Sequence, residues 1–408
     1  MSKKFDDQSN IVIVGGGAAG LRIARDLSAK LDASKYNLIL INPRPYHIHM
    51  PAGARLTTSD EGHLEDTAFI PYDKAFVNGA GTLKVGTVTA ISNNKREKGG
   101  VLTLQDGESL PYEILVLASG STFEGALAFP DEKDGMSEWL KRWRGRYERA
   151  NHIVFVGGGA VGIESAGEVK DKFPVGHVFC RSITTIAKSS PQNKRVTIVQ
   201  GGNMLLNETY PDKVRHALDK SLKKRGVEII YNDYIDAVPA EGVVGVTTRK
   251  GKKLNTDLVV NMGALLCYEF LTSDHVQVLT RGPRPNTGFI STLGSDVLTE
   301  RGRTVKVKPT LQLVSHDNIY AAGDIIEWAE QKQAIKTLGQ APVVVANILS
   351  SLAGKPPTAR YKGSIEMIVV TNGKVSLRAR LGVGVSSNFP LYFDRTKALR
   401  TSAFFGES

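Results

Sequence analysis

The sequence predicts an α/β fold built from two parallel-sheet units, followed by a small β-rich cap at the C-terminus. Two observations carry this prediction. A glycine-rich turn occurs twice, each time between an apolar β-branched run and a helical pattern, and the tail after Tyr361 alternates like a small β-rich cap. The chain has 408 residues, of which 41% are hydrophobic and 23% charged, as expected for a globular protein of two or three domains.

The two turns share the pattern GxGxxG. Residues 12–20 read VIVGGGAAG and residues 154–162 read VFVGGGAVG. After a strand and before a helix, such glycines allow a tight bend and close approach of the backbone to a pyrophosphate, which the helix N-terminus attracts. One GxGxxG is weak evidence because glycine-rich turns are common, but two in the same context predict two Rossmann-like dinucleotide sites.

The elements of the first unit follow from periodicity. A buried parallel strand is marked by consecutive apolar residues, and an amphipathic helix by apolar residues three and four apart. The predicted strands are 11–14, 37–41, 82–90, 100–105 and 114–118, and the predicted helix is 18–30.

The second unit repeats this order after a connecting helix. Its glycine turn follows a strand that begins at His152, and Gly226 ends its last helix. The predicted helices are 136–149, 160–172 and 211–225, the predicted strands are 195–199, 227–230 and 256–261, and strand and helix signals return over 286–353.

A third motif lies near the end of the chain. Residues 318–324 read NIYAAGD, an apolar strand that ends in Gly323-Asp324. A carboxylate beside such a flexible backbone suits a hydrogen bond to a polyol chain. Alone, the motif could also be a turn with an Asp cap.

Together with the strand at 112–120, these motifs resemble those of the pyridine-nucleotide oxidoreductase superfamily. More narrowly, the chain resembles the apoptosis-inducing-factor-like branch that contains ferroptosis suppressor proteins, which are NAD(P)H:quinone reductases. The resemblance covers about 10–175, 195–260 and 285–372. It implies FAD as cofactor, NADH or NADPH as co-substrate and a quinone or similar small molecule as electron acceptor.

The resemblance also implies a domain order and residue roles. The FAD domain would comprise 8–122 and 286–360, the NAD(P)H domain 123–285, and the cap 361–408. Arg55 would contact FAD, and Val85 would contact adenine through its backbone. The candidate cofactor-binding residues are Gly15, Gly16, Gly17, Ala18, Ala19, Gly20, Asn42, Arg55, Val85, Gly120, Gly157, Gly159, Gly162, Glu164, Gln200, Gly323, Asp324 (for the ribitol chain) and Lys336.

No catalytic residue is certain from the sequence, but two charged residues are candidates. Glu164, with Glu168 one turn later, matches the family's GxExAxE stretch and could orient a carboxamide; both could equally form a solvated acidic stripe. Lys336 and Gln340 open the helix after Gly323-Asp324. An ammonium there would stabilise a reduced flavin, although Lys336 could equally be exposed.

Two positions depart from the family pattern. Asn42 stands where an acidic residue is expected to bind the adenosine ribose of FAD. Gln200 stands at the matching strand end of the second unit, as neither the acid that favours NADH nor a base that favours a 2′-phosphate. The preference between NADH and NADPH stays open at this point.

The net charge of +11 allows several partners. It fits solvated helix faces such as 141–146 and 220–225, and it also allows peripheral contact with an anionic membrane surface; no nucleic-acid module is recognised, so nucleic acid is not expected as a partner. We find no leader peptide, no membrane-spanning apolar run and no N-myristoylation signal, so we expect a cytoplasmic location.

The chain has only two cysteines, Cys180 and Cys267, and they form no CxxC pair. Electrons are therefore expected to pass directly from flavin to acceptor. The scattered His47, His49 and His63 lie in a loop region, and we expect them to be structural rather than metal-binding. Two other functions remain open: a reductase of an iron–sulfur protein, whose acidic surface would suit this basic chain, and a nucleotide-dependent redox-signalling or cell-death protein.

Two segments, 175–192 and 262–280, do not fit the family pattern, and each contains one of the cysteines. We hypothesise that they are retained introns, because the first starts with Val, whose codon begins with GT, and ends with Gln, whose codon can be CAG. Ordinary surface insertions, which loops tolerate well, are the alternative. The tail after Leu381 also matches the family cap poorly.

Overall fold

A computed structural model describes residues 8–93, 99–174, 194–262, 283–300, 303–364, 367–373, 375–380 and 383–386. Apart from Met262, the two segments hypothesised to be introns lie outside the described residues, as does the chain after Ser386.

The first unit begins with a strand, the glycine turn and a helix, as predicted. The predicted single strand 82–90 is wrong: it is two strands that belong to different sheets and are separated at Gly86. The elements are β1 (Ser9–Val14), α1 (Ala18–Ser28), β2 (Tyr36–Asn42), β3 (Tyr46–Ile48), α2 (Gly53–Thr58), α3 (Glu65–Ala68), β4 (Phe69–Pro71), β5 (Thr82–Val85), β6 (Val88–Asn93), β7 (Gly100–Leu104), β8 (Ser109–Tyr112), β9 (Ile114–Leu117) and β10 (Ser121–Thr122).

The second unit contains a four-stranded parallel sheet in the order β13-β12-β11-β16. Its elements are α4 (Lys133–Arg149), β11 (His152–Val156), α5 (Ala160–Lys172), β12 (Arg195–Gln200), α6 (Asp212–Lys224), β13 (Val227–Tyr231), β14 (Val246–Thr247), β15 (Lys253–Leu254) and β16 (Leu258–Asn261).

The chain then returns to the first unit, where β19 pairs with β9 and completes a six-stranded sheet in the order β18-β19-β9-β1-β2-β5. The last three strands form a separate antiparallel sheet. These elements are β17 (Arg284–Pro285), β18 (Gln312–Leu313), β19 (His316–Ala321), α7 (Thr337–Leu352), β20 (Met367–Asn372), β21 (Val375–Arg380) and β22 (Val383–Ser386).

The fold class predicted from the sequence is thus confirmed: two Rossmann-like units with a small β-rich cap. In the first unit β1 lies between β2 and β9, its apolar residues are buried, and α1 packs against α7. The strand order reverses at β1, and in open α/β sheets ligands bind beyond the carboxyl ends of the strands at such a point.

The residues that flank the two intron-like segments lie close together. The ammonium group of Lys194 sits 4.4 Å from the ring centroid of Phe173, and the ammonium group of Lys170 donates to the carbonyl oxygen of Lys194 at 2.8 Å. Around the second segment, Asn261 and Arg284 both contact the carboxylate of Glu124.

Candidate functional site

The first glycine of each turn needs a backbone that other residues avoid. Gly15 has φ +105° and Gly157 has φ +109°. A Cβ on Gly15 would collide with the carbonyl group of Ala118, the residue after β9. The sharp turn at the end of β1 therefore depends on glycine at this position.

The other two glycines of each motif have different surroundings. A Cβ on Gly20 would collide with the carbonyl oxygen of Gly15, and a Cβ on Gly162 with that of Gly157. By contrast, a Cβ on Gly17 or Gly159 would meet no atom within 4 Å.

Gly17 and Gly159 are also the N-cap residues of α1 and α5, and neither helix has a side-chain hydrogen bond at this cap. The first N–H groups of α1, which starts at Ala18 and Ala19, therefore adjoin open space. This is the arrangement that a pyrophosphate requires, so both turns fit a dinucleotide.

An amide side chain fixes the middle glycine of each turn. The Asn42 oxygen accepts from the N–H of Gly16 at 2.9 Å, and the Gln200 oxygen accepts from the N–H of Gly158 at 2.9 Å. The Asn42 amide nitrogen donates to the Arg44 carbonyl and that of Gln200 to the Met204 carbonyl. The two side chains that depart from the family pattern thus have the same structural role, which is to hold the middle glycine of a turn.

The first turn receives further support at the carbonyl oxygen of Gly16. The hydroxyl of Tyr72 donates to it at 2.6 Å, and Nδ1 of His47 lies 3.1 Å away. Burial lowers the pKa of His47 below its ordinary 6.5, so the ring stays neutral near pH 7. The sequence predicted a structural role for His47 and gave no signal for Tyr72.

Gly323 and Asp324 lie beside the first turn. A Cβ on Gly323, which has φ +83°, would come within 3.3 Å of the Ala19 side chain in α1. One carboxylate oxygen of Asp324 accepts from the Ser121 hydroxyl at 2.7 Å. The structure therefore brings the third motif to the first, where the sequence predicted a flavin site.

A buried polar network lies behind this turn. The side-chain oxygen of Gln340 accepts from the N–H of Gly323 at 2.7 Å, and its nitrogen donates to Glu330 at 3.0 Å. The hydroxyl of Tyr361 also donates to Glu330, at 2.8 Å. The sequence pointed to Gln340 but not to Glu330 or Tyr361, because the loop before α7 has no periodicity that shows which residues face inward.

Lys336 belongs to the same network. Its ammonium group lies 4.0 Å from a carboxylate oxygen of Glu330, and only 2% and 4% of these two side chains are exposed. It also donates to the carbonyl oxygen of Ser364 at 3.2 Å. The exposed alternative for Lys336 is excluded, and its positive charge is balanced by a buried carboxylate.

The two acidic residues of α5 also have partners, so they are not a solvated stripe. Arg55 in α2 binds Glu168 through two nitrogen atoms, at 2.9 and 3.3 Å, and links the first unit to the second. Glu164 accepts from the N–H and hydroxyl of Thr371 in the cap, both at 3.1 Å. Contacts of Arg55 with FAD and of Glu164 with nicotinamide stay predictions.

Two other candidates lie at the edge of the first site. Val85 pairs with Asn42 in the sheet, and its side chain is exposed, which leaves its backbone beside the end of β2. Gly120 has φ +65°, and its carbonyl oxygen accepts from the N–H of Asn286. Within the ranges described, no group of His, Cys, Asp and Glu is placed to hold a metal ion, and no helix is long and apolar enough to cross a membrane.

Comparisons with known proteins agree with this geometry. Residues 9–343 match the model of the pyridine nucleotide-disulphide oxidoreductase family. A similar protein is FAD-dependent oxidoreductase FVFD30 of Flammulina velutipes, with 38% identity over 78% of this chain and 87% of that protein. Ferroptosis suppressor protein 1 of Homo sapiens is 26% identical over 93% of this chain and 89% of its own length.

Among solved structures, the putidaredoxin reductase in a covalent complex with putidaredoxin has the same fold. It matches with a TM-score of 0.65 and 20% identity, over 94% of this chain and 83% of that one. The chain therefore belongs to the pyridine nucleotide-disulphide oxidoreductase family and is an FAD-dependent oxidoreductase that uses NAD(P)H.

Proposed function

We propose that this family member passes electrons from NAD(P)H through FAD to a quinone or a similar small acceptor. FAD, when bound, supplies a carrier that takes a hydride from the nicotinamide and returns two electrons to an acceptor. Overall, NAD(P)H, a proton and a quinone would give NAD(P)⁺ and a hydroquinone.

The residues of the chain would bind and orient the two nucleotides. The first turn and the N-terminus of α1 would hold the FAD pyrophosphate, and Asp324, oriented by Ser121, would accept from the ribitol hydroxyls. The second turn, with Gly157, Gly159 and Gly162, would hold that of NAD(P)H. The hydrogen bond from Gly323 to Gln340 fixes the backbone on which Asp324 is carried.

The cysteine content is the observation that best supports transfer from the flavin to an acceptor without a disulfide relay. Disulfide reductases pass electrons from flavin to a nearby cysteine pair, whereas Cys180 and Cys267 are the only cysteines here and are far apart in the sequence. Without a CxxC pair, we expect electrons to leave the flavin directly. The resemblance to ferroptosis suppressor proteins favours a quinone as the acceptor.

Steady-state oxidation of NADH and NADPH tests this proposal, with a short-chain benzoquinone or a ferredoxin-type iron–sulfur protein as acceptor. We expect turnover with the quinone alone. Turnover only with the protein acceptor would favour an iron–sulfur reductase, and no turnover with either would favour a signalling role.

Two aspartates near β19 provide a matched pair of variants. Asp324→Ala should weaken FAD binding by about 10-fold or more, because a carboxylate hydrogen bond to a ligand is lost. Asp317→Ala removes a carboxylate from the other end of the strand, where it is exposed and paired with Lys308. It should leave both flavin content and turnover unchanged.

A further inference from the structure

We infer that the second site discriminates against the 2′-phosphate of NADPH, so that NADH is the preferred electron donor. This inference rests on the proposed binding of NAD(P)H at the second turn. In such units the residue at the end of the second strand contacts the adenosine ribose, and a cation nearby accommodates a 2′-phosphate. Here that strand is β12, which ends at Gln200.

The Gln200 side chain cannot turn its amide group freely toward a phosphate. Its oxygen is bonded to the N–H of Gly158, and its nitrogen donates to the carbonyl oxygen of Met204 at 2.9 Å. The side-chain oxygen still has a second lone pair, which suits a ribose hydroxyl as donor and repels a phosphate oxygen.

The loop after β12 offers no positive charge. Residues 201–209 read GGNMLLNET, without lysine or arginine and with one glutamate. The guanidinium group of Arg215 does reach this loop, but it is buried, donates to the carbonyl oxygen of Leu205 at 2.9 Å and pairs with Asp212 at 3.0 Å. Its hydrogen bonds are therefore already made within the protein, so it is not free to pair with a 2′-phosphate.

A second guanidinium group, that of Arg249, is separated from the loop after β12 by the ring of Tyr234. A Cβ on Gly201 would collide with the ring of Tyr234, and Arg249 stacks on that ring with its Cζ 4.6 Å from the centroid. Arg249 is bound to the carboxylate of Asp236, with Nε to Oδ1 at 3.0 Å. Asp233, nearly fully buried, adds a further negative charge two residues after β13, and its carboxylate accepts from the backbone N–H of Lys250 at 3.1 Å.

A 2′-phosphate carries nearly two negative charges and needs cations that are free to pair with it. At this strand end the two guanidinium groups already pair with carboxylates, the exposed Lys250 adjoins the carboxylate of Asp233, and the ribose would face an amide oxygen. A ribose with two free hydroxyls is uncharged, so it meets no electrostatic repulsion from these groups and can donate to the Gln200 oxygen. The charges therefore favour NADH.

Calorimetry on the flavin-loaded protein tests the inference without hydride transfer. ADP-ribose and 2′-phospho-ADP-ribose are titrated separately, and we expect the unphosphorylated ligand to bind at least about 10-fold more tightly. Flavin reduction by NADH and NADPH, followed anaerobically, should show the same order in its half-saturating concentrations.

A gain-of-charge variant tests the cause. Asn203→Arg places a cation in the exposed part of the loop and should tighten binding of the phosphorylated ligand by about 10-fold, with little effect on the other. Ser109→Arg adds the same charge on β8 of the first unit and should change neither ligand.

Several outcomes would overturn the inference. These are equal binding of the two ligands, tighter binding of the phosphorylated one, or an equal effect of Asn203→Arg on both. If the ligands bind in the expected order but neither coenzyme reduces the flavin, the proposed function fails while the discrimination stands. Absence of binding by both ligands would overturn the site and the inference together.

Discussion

The two glycine turns have nearly the same backbone but different surroundings. In each, the first glycine N–H donates to the second strand, from Gly15 to Ile41 at 2.8 Å and from Gly157 to Val199 at 2.9 Å. The carbonyl oxygen of the middle glycine differs. In the first turn two side chains contact it, whereas in the second a backbone N–H, that of Leu206, does so at 2.8 Å.

The first turn is enclosed by its own unit, through Tyr72, His47 and the close approach of Gly323 to α1. The helix of the second turn directs its carboxylates outward, to Arg55 of the first unit and Thr371 of the cap. The motif alone thus provides a turn that suits a dinucleotide. The enclosed first turn suits a resident cofactor, and the second turn suits a co-substrate that exchanges.

The largest expected effect comes from alanine at the third glycine of each turn. Gly20→Ala and Gly162→Ala create the same collision with a carbonyl oxygen of the turn. Gly20→Ala should abolish flavin incorporation, whereas Gly162→Ala should keep the flavin but lose its reduction by NADH. The flavin-to-protein absorbance ratio and anaerobic bleaching measure the two effects.

Gly135→Ala in α4 is the control for these variants, because its Cβ would meet only the Pro130 side chain, at an ordinary 3.6 Å. Loss of flavin from both turn variants alike would contradict the division into a resident and an exchanging site.

The buried pair behind the first turn should show the next largest effect. Glu330→Gln removes the buried carboxylate that lies 4.0 Å from the Lys336 ammonium group and should lower the free energy of unfolding by about 3–5 kcal/mol. The double variant Glu330→Gln with Lys336→Met should recover much of this loss. Denaturant unfolding of the four proteins in this cycle gives the coupling.

The exposed pair of Lys308 and Asp317 serves as the comparison, since Lys308→Met should hardly shift its unfolding midpoint. A double change whose effect equals the sum of the two single changes would show that the two groups are not coupled.

A smaller effect is expected from acid at the first turn. Burial lowers the pKa of His47 in the folded protein, so the stabilisation it provides is complete above pH 6.5 and is lost as the pH falls below that value. Flavin retention should therefore decrease on acidification from pH 7 to 5. His47→Asn, which keeps a donor but does not titrate, should flatten this dependence.

His63→Asn should behave like the unmodified chain, because His63 is exposed and its φ of +45° is one that asparagine tolerates. An unchanged pH profile in His47→Asn would assign the acid sensitivity to other groups.

The smallest effect should follow removal of residues 175–192. Phe173 and Lys194 are already in contact, and Pro174 with Asn193 would form a link that spans about 10 Å. We expect the free energy of unfolding to change by no more than about 1 kcal/mol, with flavin reduction retained. Loss of soluble protein would show that this segment is needed.

Sequencing of the mature transcript tests the intron hypothesis itself. A message that contains the segments 175–192 and 262–280 would refute it, whatever the deletion does.

Much of the first site was predictable because it depends on local chemistry. A strand pattern, a glycine turn and a helix pattern follow one another in the sequence around Gly15 and again around Gly157, and the structure contains both strand–turn–helix units. The predicted strand 82–90 was wrong because Gly86 separates two runs of similar β-propensity. The two runs become separate strands because each pairs with a different sheet. The neighbours Tyr72 and Glu330 were missed because a lone polar residue in an irregular segment carries no signal of burial.

The sequence by itself determined the fold class, the two glycine turns that suit a dinucleotide and the lack of a CxxC pair, since each depends on residue type and spacing along a short stretch. Only the tertiary structure decided the partners of Arg55, Glu168, Lys336 and Gln200. Several of these contacts join residues far apart in the chain, such as Arg55 with Glu168, and whether a charge is solvated, paired or buried depends on which elements pack against it.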